Sequence, residues 1–317
     1  MSRRVLVTGG AGFIGSNLVG GLLERGDEVR ILDNFSTGLR ANLAGLADEV
    51  EVVEGELRSY ERVHAAIRGV EVVFHQGALP SVPRSVQDPL TTSAVNVEGT
   101  LNVLLAARDE GVRRIVFASS SSVYGSSGSL PRVESAPTDP IAPYAVAKLA
   151  AERYCVSFSR VYGGLETVCL RYFNVFGPRQ DPSSEYAAAV PRFLAAVIAG
   201  EPVTIYGDGG QLRDFTYVAN VVEANLLAAE VEGINGLVFN IATGTPVSVN
   251  EIADLIGAVL DRPVEKRYLP TRAGDIRDSW ADVGEARRLL GYEPRVDLQE
   301  GLRLVSEAFV SGLARAG

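Results

Sequence analysis

The segment Thr8-Gly9-Gly10-Ala11-Gly12-Phe13-Ile14-Gly15 constrains this chain more than any other. It follows an apolar run, Val5 to Thr8, and opens a helical pattern, Phe13 to Arg25. Glycines between a strand and a helix permit a tight turn at Gly9, close approach of a ligand to the backbone at Gly12, and seating of the helix on its strand at Gly15. A diphosphate would sit on the free amides of that helix start. A plain βα turn can carry the same glycines, so the turn needs company. It has it in the next apolar run, Val29 to Leu32, which ends at Asp33. A carboxylate there accepts hydrogen bonds from both adenosine-ribose hydroxyls and repels a 2′-phosphate, which favours NAD over NADP.

Further apolar runs, Val50 to Val53, Val70 to Phe74 and Arg114 to Ala118, alternate with helical patterns at Tyr60 to Arg68, Asn96 to Asp109 and Tyr144 to Tyr162. Continuous Val/Ile/Leu runs mark parallel strands buried on both faces, and the alternation predicts a Rossmann-type doubly wound α/β sheet. After the strand Thr167 to Tyr172 the chain turns Pro- and Gly-rich, at Gly177-Pro178 and Gly207-Asp208-Gly209-Gly210. We expect an NAD-binding domain over 1–173 and a smaller α/β substrate lobe over 174–317. The chain is expected to return to the main sheet around 212–242, because Val238 to Ala242 is strand-like again.

Composition removes several classes of function. With 46% hydrophobic and 22% charged residues the chain is an ordinary globular protein. Its net charge of −9 opposes nonspecific attraction to nucleic acid or to an anionic membrane. No apolar run reaches the ~18 residues of a membrane span, and Met1-Ser2-Arg3-Arg4 does not open a leader pattern, so a cytoplasmic location is expected. The two cysteines, Cys155 and Cys169, are expected to pack in the core and not to form a disulfide. The two histidines, without CxxC or HExxH spacing, predict no metal site. Lysine occurs only at Lys148 and Lys266, and neither completes a P-loop.

In a chain that otherwise uses arginine, Lys148 calls for an explanation. It lies one helical turn after Tyr144, so both side chains share a face. A tyrosine titrates near 10, and bringing it about three units down needs roughly 4 kcal/mol of favourable charge interaction. One cation about 4 Å away at an effective dielectric of 20 supplies about that much. Lys148 is one candidate cation and an oxidised nicotinamide is another. An aromatic ring packed on an aliphatic stem gives the same spacing without any chemistry. Upstream, the strand ending at Ala118 runs into Ser119-Ser120-Ser121-Ser122-Val123-Tyr124-Gly125, which places hydroxyls at the carboxyl end of the sheet, where doubly wound folds bind ligands.

These stretches together resemble the extended short-chain dehydrogenase/reductase family, and within it the UDP-sugar 4-epimerases, over essentially the whole chain. The resemblance rests on Thr8 to Gly15, Asp33-Asn34-Phe35-Ser36-Thr37-Gly38, Ser120 to Gly125, Tyr144-x-x-x-Lys148, Arg171 to Gly177, Gly207-Asp208-Gly209, Arg213-Asp214-Phe215 and Arg272-Ala273-Gly274-Asp275. It implies that Tyr144 takes the sugar 4-OH proton, that Ser120 is its hydrogen-bond partner, and that Lys148 holds the nicotinamide ribose and lowers the tyrosine pKa. For NAD it implies contacts from Gly9, Gly12, Phe13, Ile14, Gly15, Asp33, Asn34, Ser36, Thr37, Gly38, Glu56, Leu57, Gln76, Gly77, Ala78, Asn96, Ser119 and Tyr172, besides Tyr144 and Lys148. For the UDP-sugar it implies Ser81, Arg84, Ser120, Ser122, Tyr144, Phe173, Asn174, Ala188, Ala189, Thr204, Ile205, Tyr206, Arg213, Arg272, Asp275 and Ser279. The implied cycle oxidises C4, lets the 4-keto sugar swing about its diphosphate, and reduces the other face. A homodimer packed through helices of the large lobe is also implied.

Sibling activities carry acids that this chain lacks. Related 4,6-dehydratases place Asp-Glu before the Val-Tyr-Gly, and related decarboxylases a Glu; here Ser121 and Ser122 stand there. A dehydratase is disfavoured on that ground, a UDP-glucuronate 4-epimerase only weakly, and a non-catalytic nucleotide-binding protein by the intact Tyr-Lys pair. Ser279 matches the position beside the sugar where a tyrosine restricts relatives to plain hexoses, so room for an N-acetyl group is expected, with Ser81, Arg84 and Arg179 to Pro182 pointing the same way. A helix N-cap would also suit Ser279. The chain departs from the resemblance at Glu56, where an aspartate usually meets the adenine, and at Gly77-Ala78, usually two alanines.

Overall fold

The computed structural model describes residues 3–126, 128–181, 189–271 and 276–316. Ala188, Arg272 and Asp275, all expected at the substrate site, lie outside them. Seven parallel strands form the main sheet: β1 (Arg4–Thr8), β2 (Glu28–Asp33), β3 (Val50–Glu54), β4 (Val72–His75), β5 (Arg114–Ser120), β6 (Glu166–Tyr172) and, after a long excursion, a strand at Val238–Ile241. Their spatial order runs from that last strand through β6, β5, β4, β1 and β2 to β3. The order reverses between β1 and β4, and a doubly wound sheet opens its ligand crevice at the carboxyl ends there. The central strands are mostly apolar, and every residue of β4 is buried, His75 included. The edge strand β3 instead exposes Glu51 and Glu54, charges that discourage pairing with another chain.

Helices cover both faces. On one side α1 (Phe13–Glu24) packs with a later helix, Val218–Glu230, over Val5, Val7 and Leu170. On the other, α2 (Tyr60–Ile67), a helix at Gly99–Asp109 and a long one at Pro143–Val161 bury Val63, Val103, Ile115 and Phe117. Cys155 and Cys169 are free thiols buried in this second layer. Two short helices, α3 (Val82–Gln87) and α4 (Pro89–Ser93), precede a π turn at Ala94–Glu98, after which α5 (Gly99–Asp109) begins. The periodicity predicts a helix from Asn96. The structure widens that turn because the Asn96 carboxamide pairs with the backbone of Leu79, donating to its O at 3.1 Å and accepting from its N at 2.7 Å. The next helix, α6 (Pro143–Val161), starts on proline, whose missing N–H costs nothing at the first helical position.

Past β6 the chain leaves the sheet through β7 (Val175–Phe176), α7 (Ala189–Ala199), β8 (Val203–Tyr206), β9 (Leu212–Arg213) and β10 (Thr216–Tyr217). It comes back with α8 (Val218–Glu230) and β11 (Val238–Ile241), pairing Val238 with Cys169 and Ile241 with Tyr172. It then leaves again through β12 (Val247–Ser248), α9 (Val249–Leu260), β13 (Lys266–Leu269) and α10 (Leu298–Ala316). β8 pairs in parallel with β13, and a separate core of Phe193, Leu194, Ile205, Ile252, Ile256 and Leu302 sits beneath.

Candidate functional site

At the carboxyl end of β1 the chain turns at Gly9 with φ +68, a conformation glycine adopts without strain. A Cβ on Gly9 would stand 2.7 Å from the Gly77 Cα, and one on Gly15 would stand 2.1 Å from the Gly9 O. The first turn of α1 is thus bound directly to the glycine loop. Gly12 precedes α1, and no side chain caps the helix. This cradle, with its helix-end amides, suits an anionic diphosphate.

Asp33 is buried at the end of β2, and its Oδ2 accepts from the Ala11 N at 2.9 Å while Oδ1 accepts from the Phe35 N at 2.8 Å. A carboxylate has about four acceptor positions, so two remain for ribose hydroxyls. Gly38 closes over it, since a Cβ there would lie 3.0 Å from the Asp33 Oδ2. Asn34, Ser36 and Thr37 form an exposed turn in which the Asn34 Oδ1 accepts from the Ser36 N at 3.1 Å. Leu57 is buried behind the crevice. Glu56 pairs instead with Arg58, so its carboxylate is already engaged by a neighbouring cation.

Across the crevice, Gln76, Tyr172 and Asn225 form one knot. The Gln76 Nε2 donates to the Asn225 Oδ1 at 3.0 Å, and the Asn225 Nδ2 donates to the Tyr172 hydroxyl at 2.8 Å. Burial pushes the Tyr172 phenol up to about 12 although both amides stabilise its anion. It is a fixed neutral group. Sequence reading gives no sign of Asn225 beyond a polar residue in the apolar stretch of α8.

The groups with chemical potential lie one strand further. Ser120 ends β5 and receives hydrogen bonds from the Ser122 N at 3.2 Å and the Ser122 Oγ at 2.9 Å. Tyr144, at the start of α6, hydrogen-bonds Ser120. Lys148, buried one turn on, donates from Nζ to the Ala118 O at 2.8 Å. Ser120, Tyr144 and Lys148 thus stand at the end of β5 and the start of α6, but the electrostatics differ from expectation. Burial pushes the Tyr144 phenol above its usual value, and the Ser120 hydrogen bond draws it back only in part. Lys148 does not reverse this; its own ammonium is depressed to about 8 by burial, against a smaller opposite influence from Cys155. Desolvation of the phenol outweighs the hydrogen bond from Ser120, and Lys148 is committed to a carbonyl. The protein groups alone therefore leave the phenol protonated near neutral pH.

Two expected contacts are turned elsewhere. The Ser119 hydroxyl donates to the Glu152 Oε2 at 2.7 Å, a carboxylate that also takes a bidentate grip from Arg171 at 2.9 and 2.7 Å. Phe173 is fully buried among Val123, Tyr124 and Val283, which corrects its placement against substrate: its side chain is core.

The smaller lobe holds a cavity of about 260 Å³ lined by Asn174, Ala189, Thr204, Ile205, Tyr206 and Arg213, all expected, and by Arg192, Phe193, Gln211 and Phe215, which are not. Ala189, Arg192 and Phe193 stand at i, i+3 and i+4 on α7, so a helical stripe was the available signal. The Arg192 guanidinium lies 5.7 Å from the Tyr206 ring centre. Asn174 takes a left-handed φ of +31 and donates to the Asp214 O at 3.3 Å. Arg213 is steered by the carbonyls of Ile276 and Arg277, both at 2.5 Å. Ser279 bridges Arg213 in parallel fashion, its N donating to the Leu212 O at 3.0 Å, so it is extended and not a helix cap. Asp214, wholly buried, clasps the Thr243 N and Oγ1 and the Gly244 N at 2.6 to 2.9 Å, tying this segment to the end of the main sheet. Ser81 caps α3 from a left-handed φ of +97, with its Oγ accepting from the Arg84 N at 3.3 Å.

Residues 5–242 match the family described as the NAD dependent epimerase/dehydratase family. The chain is 41% identical over 315 residues to the UDP-glucose 4-epimerase of Mycolicibacterium smegmatis, covering 96% of this chain and 98% of that one. A solved UDP-N-acetylglucosamine 4-epimerase from Methanobrevibacter ruminantium, in complex with UDP-N-acetylmuramic acid, superposes with a TM-score of 0.93 at 39% identity, covering 98% and 99%. The Thermus thermophilus UDP-glucose 4-epimerase in complex with NAD gives 0.89 at 40% identity, covering 97% and 99%.

Proposed function

The chain belongs to the NAD dependent epimerase/dehydratase family, and from that premise we propose that it inverts C4 of UDP-sugars with one NAD retained throughout the cycle. The observation that carries this is the placing of Ser120, Tyr144 and Lys148 at the carboxyl end of β5 and the start of α6, one strand from the switch point, with hydroxyls and no carboxylate at 121 and 122. Gly9 to Gly15 and the spare acceptor capacity of Asp33 fit a dinucleotide, and Gln76, Gly77, Ala78 and Asn96 line its far side. The NAD, when bound, accepts the C4 hydride, gives it back, and brings a positive charge to the crevice.

Tyr144 takes the 4-OH proton and later returns it. Ser120 hydrogen-bonds the phenol, stabilises its anion and shares the sugar hydroxyl. Lys148, still largely an ammonium at pH 7, offers its remaining N–H groups to the nicotinamide ribose. The cavity of the smaller lobe holds the uridine, and Arg213 meets the diphosphate. Keeping the anchor on a separate core leaves the sugar free to present either face to a stationary redox centre.

Ser279, small and beside Arg213, supports acceptance of acetamido sugars alongside plain hexoses. The unit over residues 1–173, with the returning segment, carries the nucleotide, and that over 174–317 carries the UDP. No helix among the described residues is long and apolar enough to cross a membrane, and we propose a cytoplasmic homodimer. Support for the dimer comes from α3, α4 and α6, which pack together yet expose Val86 (64%), Leu90 (83%) and Val146 (51%).

The test is incubation with UDP-GlcNAc, UDP-Glc and UDP-GlcA without added NAD, followed by chromatographic separation of the 4-epimers. Conversion of the first two is expected. Turnover of UDP-GlcA alone, or of none, overturns the assignment.

A further inference from the structure

His75 ends β4 directly opposite Thr8 in the sheet register, and the glycine-rich turn begins at the next residue. The ring is buried, 1% exposed, and both nitrogens are engaged: Nδ1 with the Thr8 Oγ1 at 2.7 Å and Nε2 with the Thr100 Oγ1 at 3.0 Å. The neighbours of those hydroxyls decide the tautomer. Thr100 donates its only hydroxyl proton to the Asn96 O at 2.7 Å, so towards His75 it can only accept. The proton of the imidazole therefore sits on Nε2. Nδ1 is then the acceptor for the Thr8 hydroxyl, whose own lone pair receives the Gly77 N–H at 3.0 Å. One directed chain runs from the Gly77 N–H through Thr8, His75 and Thr100 to the Asn96 carbonyl. It closes on itself, because the Asn96 side chain grips the backbone of Leu79 in both directions.

This chain joins three segments far apart in sequence: the start of the glycine-rich turn, the loop from Gly77 to Leu79, and the π turn that holds Asn96. They touch closely, as a Cβ on Gly9 would clash with Gly77. No single backbone bond spans all three, whereas the imidazole, with a donor on one side and an acceptor on the other, does.

We infer that His75, held as the Nε2–H tautomer, is a positioning residue that fixes the 77–79 loop and the π turn against the glycine-rich turn, and so sets how long the dinucleotide is retained. The inference rests on the proposal that this crevice holds NAD. Burial also presses the imidazolium pKa down to about 3, with the Lys148 ammonium adding to the effect, which agrees with a ring that stays neutral in its work. Phe117 neighbours both groups, its ring 5.6 Å from the imidazole ring and 5.1 Å from the Lys148 Nζ; the layer further holds Cys155, Cys169 and the Glu152–Arg171 pair.

The experiment uses the full-length protein. His64 is the other histidine, so a His64→Gln sample assigns the two imidazoles in a ¹⁵N spectrum. For His75 we expect a protonated Nε2 and a bare Nδ1 that do not titrate between pH 6 and 9. His75→Phe should release bound nucleotide at least 10-fold faster on gel filtration and lower kcat, with KM for UDP-Glc within twofold, because the UDP contacts lie on the other lobe. His75→Asn, which keeps an acceptor for Thr8, and His75→Gln, which keeps a donor for Thr100, should each recover part of the retention. An Nδ1–H tautomer or an imidazolium overturns the directed chain. Wild-type retention in a folded His75→Phe, or in both amide variants should Phe not fold, overturns the positioning role. If the wild-type protein neither carries nor takes up NAD, the cofactor proposal fails by that measurement, and the role in retention falls with it whatever the tautomer.

Discussion

Two glycines on α1 should respond to the same added methyl with opposite signs. At Gly20 a Cβ meets nothing within 4 Å, so Gly20→Ala keeps all contacts and gains helix propensity, about 1 kcal/mol. For a chain of this size that is a rise in Tm of roughly 2 °C. At Gly15 the same atom would stand 2.1 Å from the Gly9 O and 2.9 Å from the Gly10 Cα. Both are backbone atoms, which cannot step aside as a side chain can, so the helix must lift off the turn. Overpacking of this kind costs about 1–3 kcal/mol, which the propensity gain offsets only in part. The net should be a Tm lower by up to about 4 °C. Loss of bound dinucleotide should accompany it, since the displaced backbone is the diphosphate cradle. Differential scanning calorimetry with nucleotide content measured on the same samples reads both effects. A Gly15→Ala protein that melts and binds NAD like Gly20→Ala would refute the close packing of turn and helix.

Tyr144→Phe should keep its nucleotide and lose about 10² to 10⁴ in kcat, as removal of a general base does; a loss under about tenfold removes the phenol from that role. Ser279→Tyr should spare UDP-Glc and abolish UDP-GlcNAc turnover in the chromatographic assay, and equal loss of both would make Ser279 structural. His75 has a folded pKa of about 3 against 6.5 when free, so the unfolded chain binds more protons between those values and stability falls as pH drops below about 6.5. At pH 5 this amounts to about 2 kcal/mol. Urea melts at pH 7.5 and 5 should show His75→Asn losing less stability by that amount, and parallel losses would contradict it. Glu152→Gln strips the Arg171 guanidinium of its buried charge partner and should cost about 3–5 kcal/mol in the same melts; a loss below 1 kcal/mol would mean that the pair is solvated.

Sheet and nucleotide turn were legible because their causes are local. Strands buried on both faces must be apolar throughout, and a turn that takes a backbone within 3 Å of another must be glycine. The return to the sheet at β11 was legible from one apolar run. The buried polar groups were not. Asn225, Glu152 and Asp214 find their partners on other elements, and a lone polar letter in an apolar stretch says nothing about which partner waits. Ser119 and Phe173 failed for the complementary reason. Each sits in a motif at the carboxyl end of the sheet, but its side chain is taken up elsewhere, that of Ser119 by Glu152 and that of Phe173 by the core. The direction of the Tyr144 shift was missed because a pairwise sum over cations omits the cost of burying the phenol, and that cost is the larger quantity here.

The family to which this chain belongs bears two chemistries in its description, epimerisation and dehydration. Overall fold and a shared Tyr-Lys pair therefore cannot choose between them. What separates them is whether a second acid–base group can reach the sugar once the 4-keto group has acidified C5. Elimination needs a base for the C5 proton and an acid for the departing hydroxyl. At the two positions after Ser120 this chain presents hydroxyls, and the Ser122 Oγ spends its proton on the Ser120 Oγ at 2.9 Å. A hydroxyl so committed is neither a base for C5 nor an acid for a leaving group. The ketone then has one productive exit, return of the hydride, and inversion follows if the sugar turns over before it happens.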